Sequence, residues 1–576
     1  MPLPRRRQGL FVTALSIALS VQLAVAVALG AFQRPAVVTQ ASRPNIVIVL
    51  VDDMGWSDIG AYGGEIPTPN LDALARGGVR FTQFYATPRC SPSRASLLTG
   101  LYPHQAGMGH LDNVIRAGSA GTTGRLNDRS VTIAEVLRDA GYFTAMAGKW
   151  HLGQQNGSPP WERGFDRVLN LRAGGMFFPN QNFPGGGELT RRGQEPLYLD
   201  GTPIPRDSAL LGQDWYATFL WTDFGLKFVD EARKANRPFL LYVPHNAPHF
   251  PLMAPQDLIA RHRGKYSAGW DSLREARYRR QLRMGLIDAR WPLSPREVAS
   301  PAWDSLSPEA KDRFDHLMAV YAAMIEGIDT SIGTLVRGLQ ARGVFDNTLI
   351  LFMSDNGGNA ESGPDGLFNG DPPGGPNSNV YLGMNWATLG NTPFRRFKHF
   401  THEGGIATPL IAHWPQGIPP DRRNALEHQP GQMIDVMATV VDITGAAYPR
   451  EFKGHAIQPV EGVSLRPALG GRPLTRTRAI FWEHEGSRAV RSGHWKLVST
   501  YADGWELYDM ATDRVERNNL AARHPDVVRA LAAEWDAWAK RAKVDPWTGP
   551  RRMPWGDDAP ADEKGLLVAG RTAGSG

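Results

Sequence analysis

Cys90, the single cysteine of this 576-residue chain, opens the stretch Cys90-Ser91-Pro92-Ser93-Arg94-Ala95-Ser96-Leu97-Leu98-Thr99-Gly100. A lone cysteine is ordinarily a small buried hydrophobe, but its neighbours here read as a helix start. Ser91 is a cap candidate, and Pro92 stands where a missing N–H costs nothing. Residue 90 would then sit at the positive end of a helix dipole, a natural place for an anion. Arg94, one turn further in, could brace it. Other ionisable side chains fall into short clusters. These are Asp52-Asp53, Gly148-Lys149-Trp150-His151, His245-Asn246-Ala247-Pro248-His249, Ser354-Asp355-Asn356-Gly357, and Lys398 five residues ahead of Glu403-Gly404-Gly405. Taken singly, each has a bland reading: aspartates and lysines are mostly solvated, and a histidine among prolines is more often a turn residue.

The elements that must position these groups share one grammar. Asn45-Ile46-Val47-Ile48-Val49-Leu50-Val51 is a continuous β-branched run, the mark of a strand buried on both faces. It ends in Asp52-Asp53, and two adjacent carboxylates there are costly unless paired or bound to a cation. Phe143-Thr144-Ala145-Met146-Ala147 runs into Lys149 and His151, Phe239-Leu240-Leu241-Tyr242-Val243 into His245 and His249, and Thr348-Leu349-Ile350-Leu351-Phe352-Met353 into Asp355-Asn356. Tyr321, Ile325, Ile328, Ile332, Leu335 and Leu339 mark a helix before the last of these, closed by Gly343. A further helix is expected over 132–139. Helix-then-strand alternation predicts an α/β fold with a large, mostly parallel sheet sandwiched by helices. Ligands of such sheets collect at the carboxyl ends of the strands, so the four polar ends should meet on one rim.

Residues 154–214 and 363–391 are rich in Gly, Pro and Asn and read as long surface loops. Residues 254–311 read as an Arg-rich helical insertion with a solvated face. After about residue 475, short strands at hairpin spacing, near 479–483, 488–491, 495–499 and 505–508, precede a helix carrying Val528, Leu531, Trp535 and Trp538 on one face. This predicts a small α+β subdomain with an antiparallel sheet. The expected division is a signal peptide or N-terminal anchor at 1–32, a linker at 33–43, a large α/β domain at 44–475 that holds all the clusters above, the α+β subdomain at 476–546 and a disordered tail at 547–576. Arg5-Arg6-Arg7 followed by an uncharged Ala/Val/Leu-rich run over 10–32 favours a cleaved export signal and a periplasmic or secreted protein. An uncleaved membrane anchor is the alternative. Net charge is +6, with no dense basic face, which argues against nucleic acid as a partner. A single cysteine excludes an internal disulfide.

The Cys90–Gly100 stretch resembles, almost letter for letter, the signature of the type I sulfatases, and the resemblance runs over roughly residues 43–544, closest to the bacterial arylsulfatases. G-K-W-H at 148–151, A-P-H-x-P at 247–251, K-x-x-T-x-E-G-G at 398–405, and Glu506-Leu507-Tyr508-Asp509 with Asn519-Leu520 also look like that family. The resemblance implies an alkaline phosphatase-like fold and hydrolysis of a sulfate monoester to alcohol or phenol and inorganic sulfate. It implies that Cys90 is oxidised to Cα-formylglycine by a formylglycine-generating enzyme, and that its hydrate attacks sulfur. It implies Ca²⁺, with Mg²⁺ second, held by Asp52, Asp53, Asp355, Asn356 and the converted Cys90. Arg94, Lys149, His151, His249 and Lys398 would be catalytic. Of these, Lys149, His249 and Lys398 would contact sulfate, Asp355 is a base candidate, His249 or Lys398 would protonate the leaving group, and His151 would take the last proton. The substrate could be an aryl, sugar or steroid sulfate. Rival readings are a formylglycine-dependent phosphonate or phosphate monoester hydrolase of the same fold, and a non-catalytic binder of sulfated ligands. His104, His110, His245 and His402 lie near the motifs with no role assigned, Trp150, Phe250 and Trp386 could wall an aryl group or pack the core, and oligomeric state is open.

Overall fold

The computed structural model describes residues 1, 43–153, 158–182 and 195–549. The expected export segment and most of the tail lie outside these residues. Seven strands make the body of an 11-stranded sheet. They are β1 (Asn45–Val51), β2 (Val79–Tyr85), β3 (Phe143–Lys149), β4 (Arg167–Leu171), β5 (Phe239–Pro244), β6 (Thr348–Ser354) and β7 (Ala407–His413). Their spatial order is β2-β7-β6-β1-β5-β3-β4, with short strands extending both ends. The run β6-β1-β5-β3-β4 is parallel, while β7 lies antiparallel to both β2 and β6.

The alternation along β1 divides the core in two. Val47, Val49 and Val51 face one hydrophobic layer, and Ile46, Ile48 and Leu50 face the other, all fully buried. Each such side chain stabilises the fold by roughly 1.5–3 kcal/mol, so this strand can lie nowhere but the middle. The first layer is covered by the helices Ala217–Lys234 and Pro308–Ala341. The latter opens with Pro308 in its first turn, and the Ser307 hydroxyl accepts the Ala310 N–H at 3.2 Å. The second layer is covered by Cys90–Thr99, Ile133–Asp139 and Ile434–Thr444. Ile133–Asp139 is fixed by a reciprocal capping box between Thr132 and Glu135.

Several elements differ from the sequence expectations. The region read as loop over 154–214 contributes β4, paired with β3 from Ala145↔Arg167 to Lys149↔Leu171. The second such region holds a hairpin, Leu367–Gly370 with Ser378–Tyr381, and the helix Met384–Gly390. The Arg-rich insertion forms Gln256–His262 and Gly269–Arg283. Besides its solvated face it has a buried one, where Arg277 is fully enclosed and pairs with Asp58 and Glu65. The strands β2 and β7 were not anticipated.

The C-terminal strands Ile480–His484, Ser487–Ser492, Trp495–Ser499 and Glu506–Asp509 form an antiparallel sheet in that order. The helix Pro525–Ala542 lays Leu531, Trp535 and Trp538 on its Phe481, Val490, Leu497 and Leu507 face.

Candidate active site

Strand register puts the chemistry on one rim. Val51 is level with Ser354, Leu50 with Pro244, and Met146 with Tyr242. The residues at or just past the ends of four adjacent parallel strands are therefore Asp52-Asp53, Asp355-Asn356, the His245–His249 turn, and Lys149 to His151. Gly148 is needed at its position: its φ is +141°, and a Cβ there would lie 2.1 Å from the Pro244 carbonyl oxygen.

Asp52, Asp53, Asp355 and Asn356 are all buried and interlinked. Asn356 Nδ2 donates to Asp53 Oδ1 at 2.7 Å, and the Asp53 N–H donates to Asp355 Oδ1 at 3.2 Å. Three cations answer the carboxylates. Lys149 Nζ donates to Asp52 Oδ2 at 2.6 Å, Lys398 Nζ lies 2.9 Å from Asp53 Oδ1, and Arg94 Nη2 donates to Asp355 Oδ2 at 2.8 Å. Two oxygens remain without a donor, Asp52 Oδ1 and Asn356 Oδ1. Buried acceptors left open cost about 1–3 kcal/mol each. An all-oxygen set with two unsatisfied members fits a hard divalent cation.

The electrostatics follow from this crowding. Burial would raise Asp52, but Lys149, His249 and Arg94 hold its carboxyl well below the usual range. Burial and the neighbouring Asp52 push Asp355 up, against Arg94. Burial also pushes the Cys90 thiol up, against Lys149 and Lys398. An unconverted thiol is then a poor nucleophile near neutral pH.

Cys90 is the first residue of the helix Cys90–Thr99, only 2% exposed. The residue before the helix is Arg89 and not the expected Ser91, in extended conformation and without a side-chain cap. Ser93 instead ties the approach, its Oγ accepting the Thr87 N–H at 3.0 Å. Arg94 reaches across the site, giving Nε and Nη2 to Asp355 Oδ2 and Nη1 to the Lys149 carbonyl. The Cys90 sulfur lies 3.4 Å from His151 Nδ1. His249 turns Nδ1 to the Phe250 carbonyl at 2.6 Å and Nε2 towards Asp53 Oδ2 at 3.7 Å. All ten residues singled out in the sequence thus belong to one buried constellation or its immediate contacts.

Several participants carried no sequence signal. Asn359 Nδ2 donates to Asp53 Oδ2 at 2.7 Å, and Glu361 approaches Lys398 at 3.6 Å while pairing with Arg89 and His399. Asp112 faces His151 Nε2 at 3.5 Å. Asn359 and Glu361 stand just beyond Asp355-Asn356-Gly357-Gly358, and that proximity was the only clue to them. The unassigned histidines divide. His104, His110 and His402 bond to Glu483, Glu485 and Glu506 of the C-terminal sheet and its turn, at 2.7, 2.8 and 3.2 Å. His245 is fully buried with neither ring nitrogen bonded, and burial lowers it to about 3, so it is neutral. Trp150 and Trp386 are core residues bonded to Ser158 and Phe314 carbonyls. Phe250 stays at the site, stacked between His249 at 4.2 Å and Tyr381 at 4.4 Å.

The chain is similar to known proteins in both sequence and fold. The family profile "Sulfatase" matches residues 44–446, and that of "N-sulphoglucosamine sulphohydrolase, C-terminal" matches 394–538. The chain is 34% identical to an uncharacterized sulfatase of Schizosaccharomyces pombe, over 86% of this chain and 93% of that one. It is 35% identical to an arylsulfatase of Klebsiella aerogenes, over 74% and 92%. Among solved structures, Ps i-CgsB in complex with a neocarrahexaose superposes with a TM-score of 0.65 at 24% identity, covering 92% and 98%. The phosphonate monoester hydrolase of Agrobacterium radiobacter superposes with a TM-score of 0.52 at 20% identity, covering 87% and 96%.

Proposed function

We propose, from the premise that this chain belongs to the sulfatase family and hydrolyses sulfate esters, that residue 90 acts as formylglycine beside a bound Ca²⁺ and that the protein takes aryl sulfates. One observation carries the reading. The open oxygens of Asp52 and Asn356 lie in the same buried cluster as Lys149, Lys398 and His249, with the Cys90 helix start beside it. Asp52, Asp53, Asp355 and Asn356 would hold the ion, which supplies Lewis-acid polarisation of a sulfate oxygen. Mg²⁺ is the weaker fit, since it demands stricter octahedral geometry.

The chain's own groups do the rest. Lys149 and Lys398, fixed by Asp52 and Asp53, offer positive charge to the remaining sulfate oxygens and to the charge that gathers on the leaving oxygen. Arg94 locks Asp355 and the Lys149 backbone in one geometry. His249, with Nδ1 committed to Phe250, turns Nε2 towards the Asp53 carboxylate, where it would meet the ester. The His249–Phe250–Tyr381 stack gives an aromatic leaving group an apolar wall. Conversion of Cys90 requires a formylglycine-generating enzyme as partner, and the basic-then-apolar pattern over 5–32 supports export.

The test is mass spectrometry of the peptide containing residue 90 from protein of the native host, with turnover of aryl sulfate and aryl phosphonate compared. An aldehyde or its hydrate with preference for sulfate supports the reading. Preference for phosphonate, or unmodified cysteine in an active enzyme, overturns it.

A further inference from the structure

We infer that Asp112 is a positioning residue for this reaction: its carboxylate holds the His151 imidazole with the proton on Nε2, so that the Nδ1 lone pair faces residue 90. The inference rests on the sulfatase reading only for its catalytic consequence. The geometry stands by itself. His151 follows β3 in a left-handed conformation, φ +60°, and its N–H donates to the Arg172 carbonyl at 2.8 Å, which fixes the backbone. The ring then lies between two groups. Nδ1 is 3.4 Å from Cys90 Sγ, and Nε2 is 3.5 Å from Asp112 Oδ1. Both side chains are only 9% exposed, so bulk water competes little for either nitrogen.

The chemistry of the groups fixes the tautomer. An ionised carboxylate only accepts, so the nitrogen facing it must carry hydrogen, and a neutral imidazole then has its free pair on the other nitrogen. Nucleophile, base and orienting carboxylate in series is a recurrent arrangement for residues that move a proton. Here the consequence falls on the second half of the reaction. Were residue 90 converted to formylglycine, His151 Nδ1 would be placed to accept a proton from a hydroxyl on it, the O–H pair closing the C=O bond as the C–O pair leaves with sulfate, and Asp112 would stabilise the imidazolium until that proton passes to solvent. Nothing in this places Asp112 on the ester or the metal ion, so the first half of the reaction should proceed without it.

Two readouts test this. The first uses protein expressed without the converting enzyme, so that residue 90 stays cysteine. Long-range ¹H–¹⁵N spectra of its histidine side chains, assigned with His151→Gln, should show His151 as the Nε2–H tautomer. Asp112→Asn and Asp112→Ala should move it to a mixture or to Nδ1–H. An unchanged His151 signature in both variants overturns the inference whether or not the enzyme reading holds. The second uses the matured enzyme and a chromogenic aryl sulfate. The variants should lose kcat on the order of 10²-fold, with KM not raised. A burst of phenol release and a sulfate adduct on the residue-90 peptide should accompany the loss. A raised KM with unchanged kcat would make Asp112 a substrate contact and overturn the positioning role. An inactive matured wild type would sink the functional reading alone, since the tautomer measurement still decides Asp112.

Discussion

At the scale of single residues, this site is a balance of buried charge, and each member depends on its partners. Arg94 is fully enclosed and gives three N–H groups to two acceptors, Asp355 Oδ2 and the Lys149 carbonyl. A lysine cannot reproduce that planar fork. Arg94→Lys should leave one acceptor open, lowering stability by about 1–3 kcal/mol in denaturant unfolding. Turnover should fall on the order of 10²-fold, as for loss of one preorganised donor. The two open oxygens make a second prediction. Ca²⁺ at 100 times its dissociation constant should stabilise the wild type by about 2.7 kcal/mol. Asp52→Asn, which removes the charge behind the open Asp52 oxygen, should lose most of that increment. A thermal melt series against Ca²⁺ and Mg²⁺ measures both, and equal response of variant and wild type would count against the assignment of the ion to this cluster.

At the scale of elements, the rim works because β6, β1, β5 and β3 end level, and that depends on close backbone approach. Gly148→Ala would drive a Cβ to 2.1 Å from the Pro244 carbonyl oxygen, so β3 must withdraw from β5 and carry Lys149 and His151 with it. A displacement near 1 Å is enough for about 10²-fold in rate. Gly343→Ala, where φ is +68° but nothing lies within 4 Å, should cost only local strain and leave turnover unchanged. The same elements show what a sequence can and cannot disclose. The strands β1, β5 and β6 are near-continuous apolar runs and β3 is broken only by Thr144, hence legible, and their polar ends delivered Asp52, Asp53, Lys149, His151, His249, Asp355 and Asn356. Strand β7 was hidden by Pro409 in its middle, a residue that argues against a central strand. The register shift between Thr408 and Leu410 accommodates it there. Strand β2 was masked by Arg80 and Gln83, and β4 by Asn170, which is fully buried. Asp112 lies in a glycine-punctuated segment without hydrophobic period, and only folding brings it beside His151.

At the scale of the whole molecule, the C-terminal subdomain is bolted to the segment that carries Lys398. Glu403, five residues on, has a separate set of partners from Lys398. It meets Lys496 Nζ at 2.9 Å, Arg514 Nε at 2.7 Å and the Tyr85 hydroxyl at 3.0 Å, and its N–H donates to Glu516 at 2.9 Å. Lys496 also pairs with Glu516 at 2.8 Å, and all four charged side chains are fully buried. Glu403 thus fixes from behind the loop that carries Lys398. Removing one partner of such a buried network typically costs about 3–5 kcal/mol, so Glu403→Gln should be destabilised by that order at pH 7. The pH dependence has a definite sign. Burial alone would raise Glu403, but Lys496, Arg514 and Arg491 outweigh it and hold the carboxyl below its usual 4.5. A depressed native value means that the unfolded state binds the proton first, so this stabilisation is complete above pH 4.5 and is lost as pH falls through the lower native value. Other carboxylates, Glu506 among them, are depressed too and contribute to the acid limb of both proteins. The telling quantity is therefore the difference between wild type and Glu403→Gln in denaturant unfolding. It should be largest near neutrality and shrink steadily below pH 4.5. A constant gap down to pH 3 would mean that Glu403 acts through packing and not through its charge.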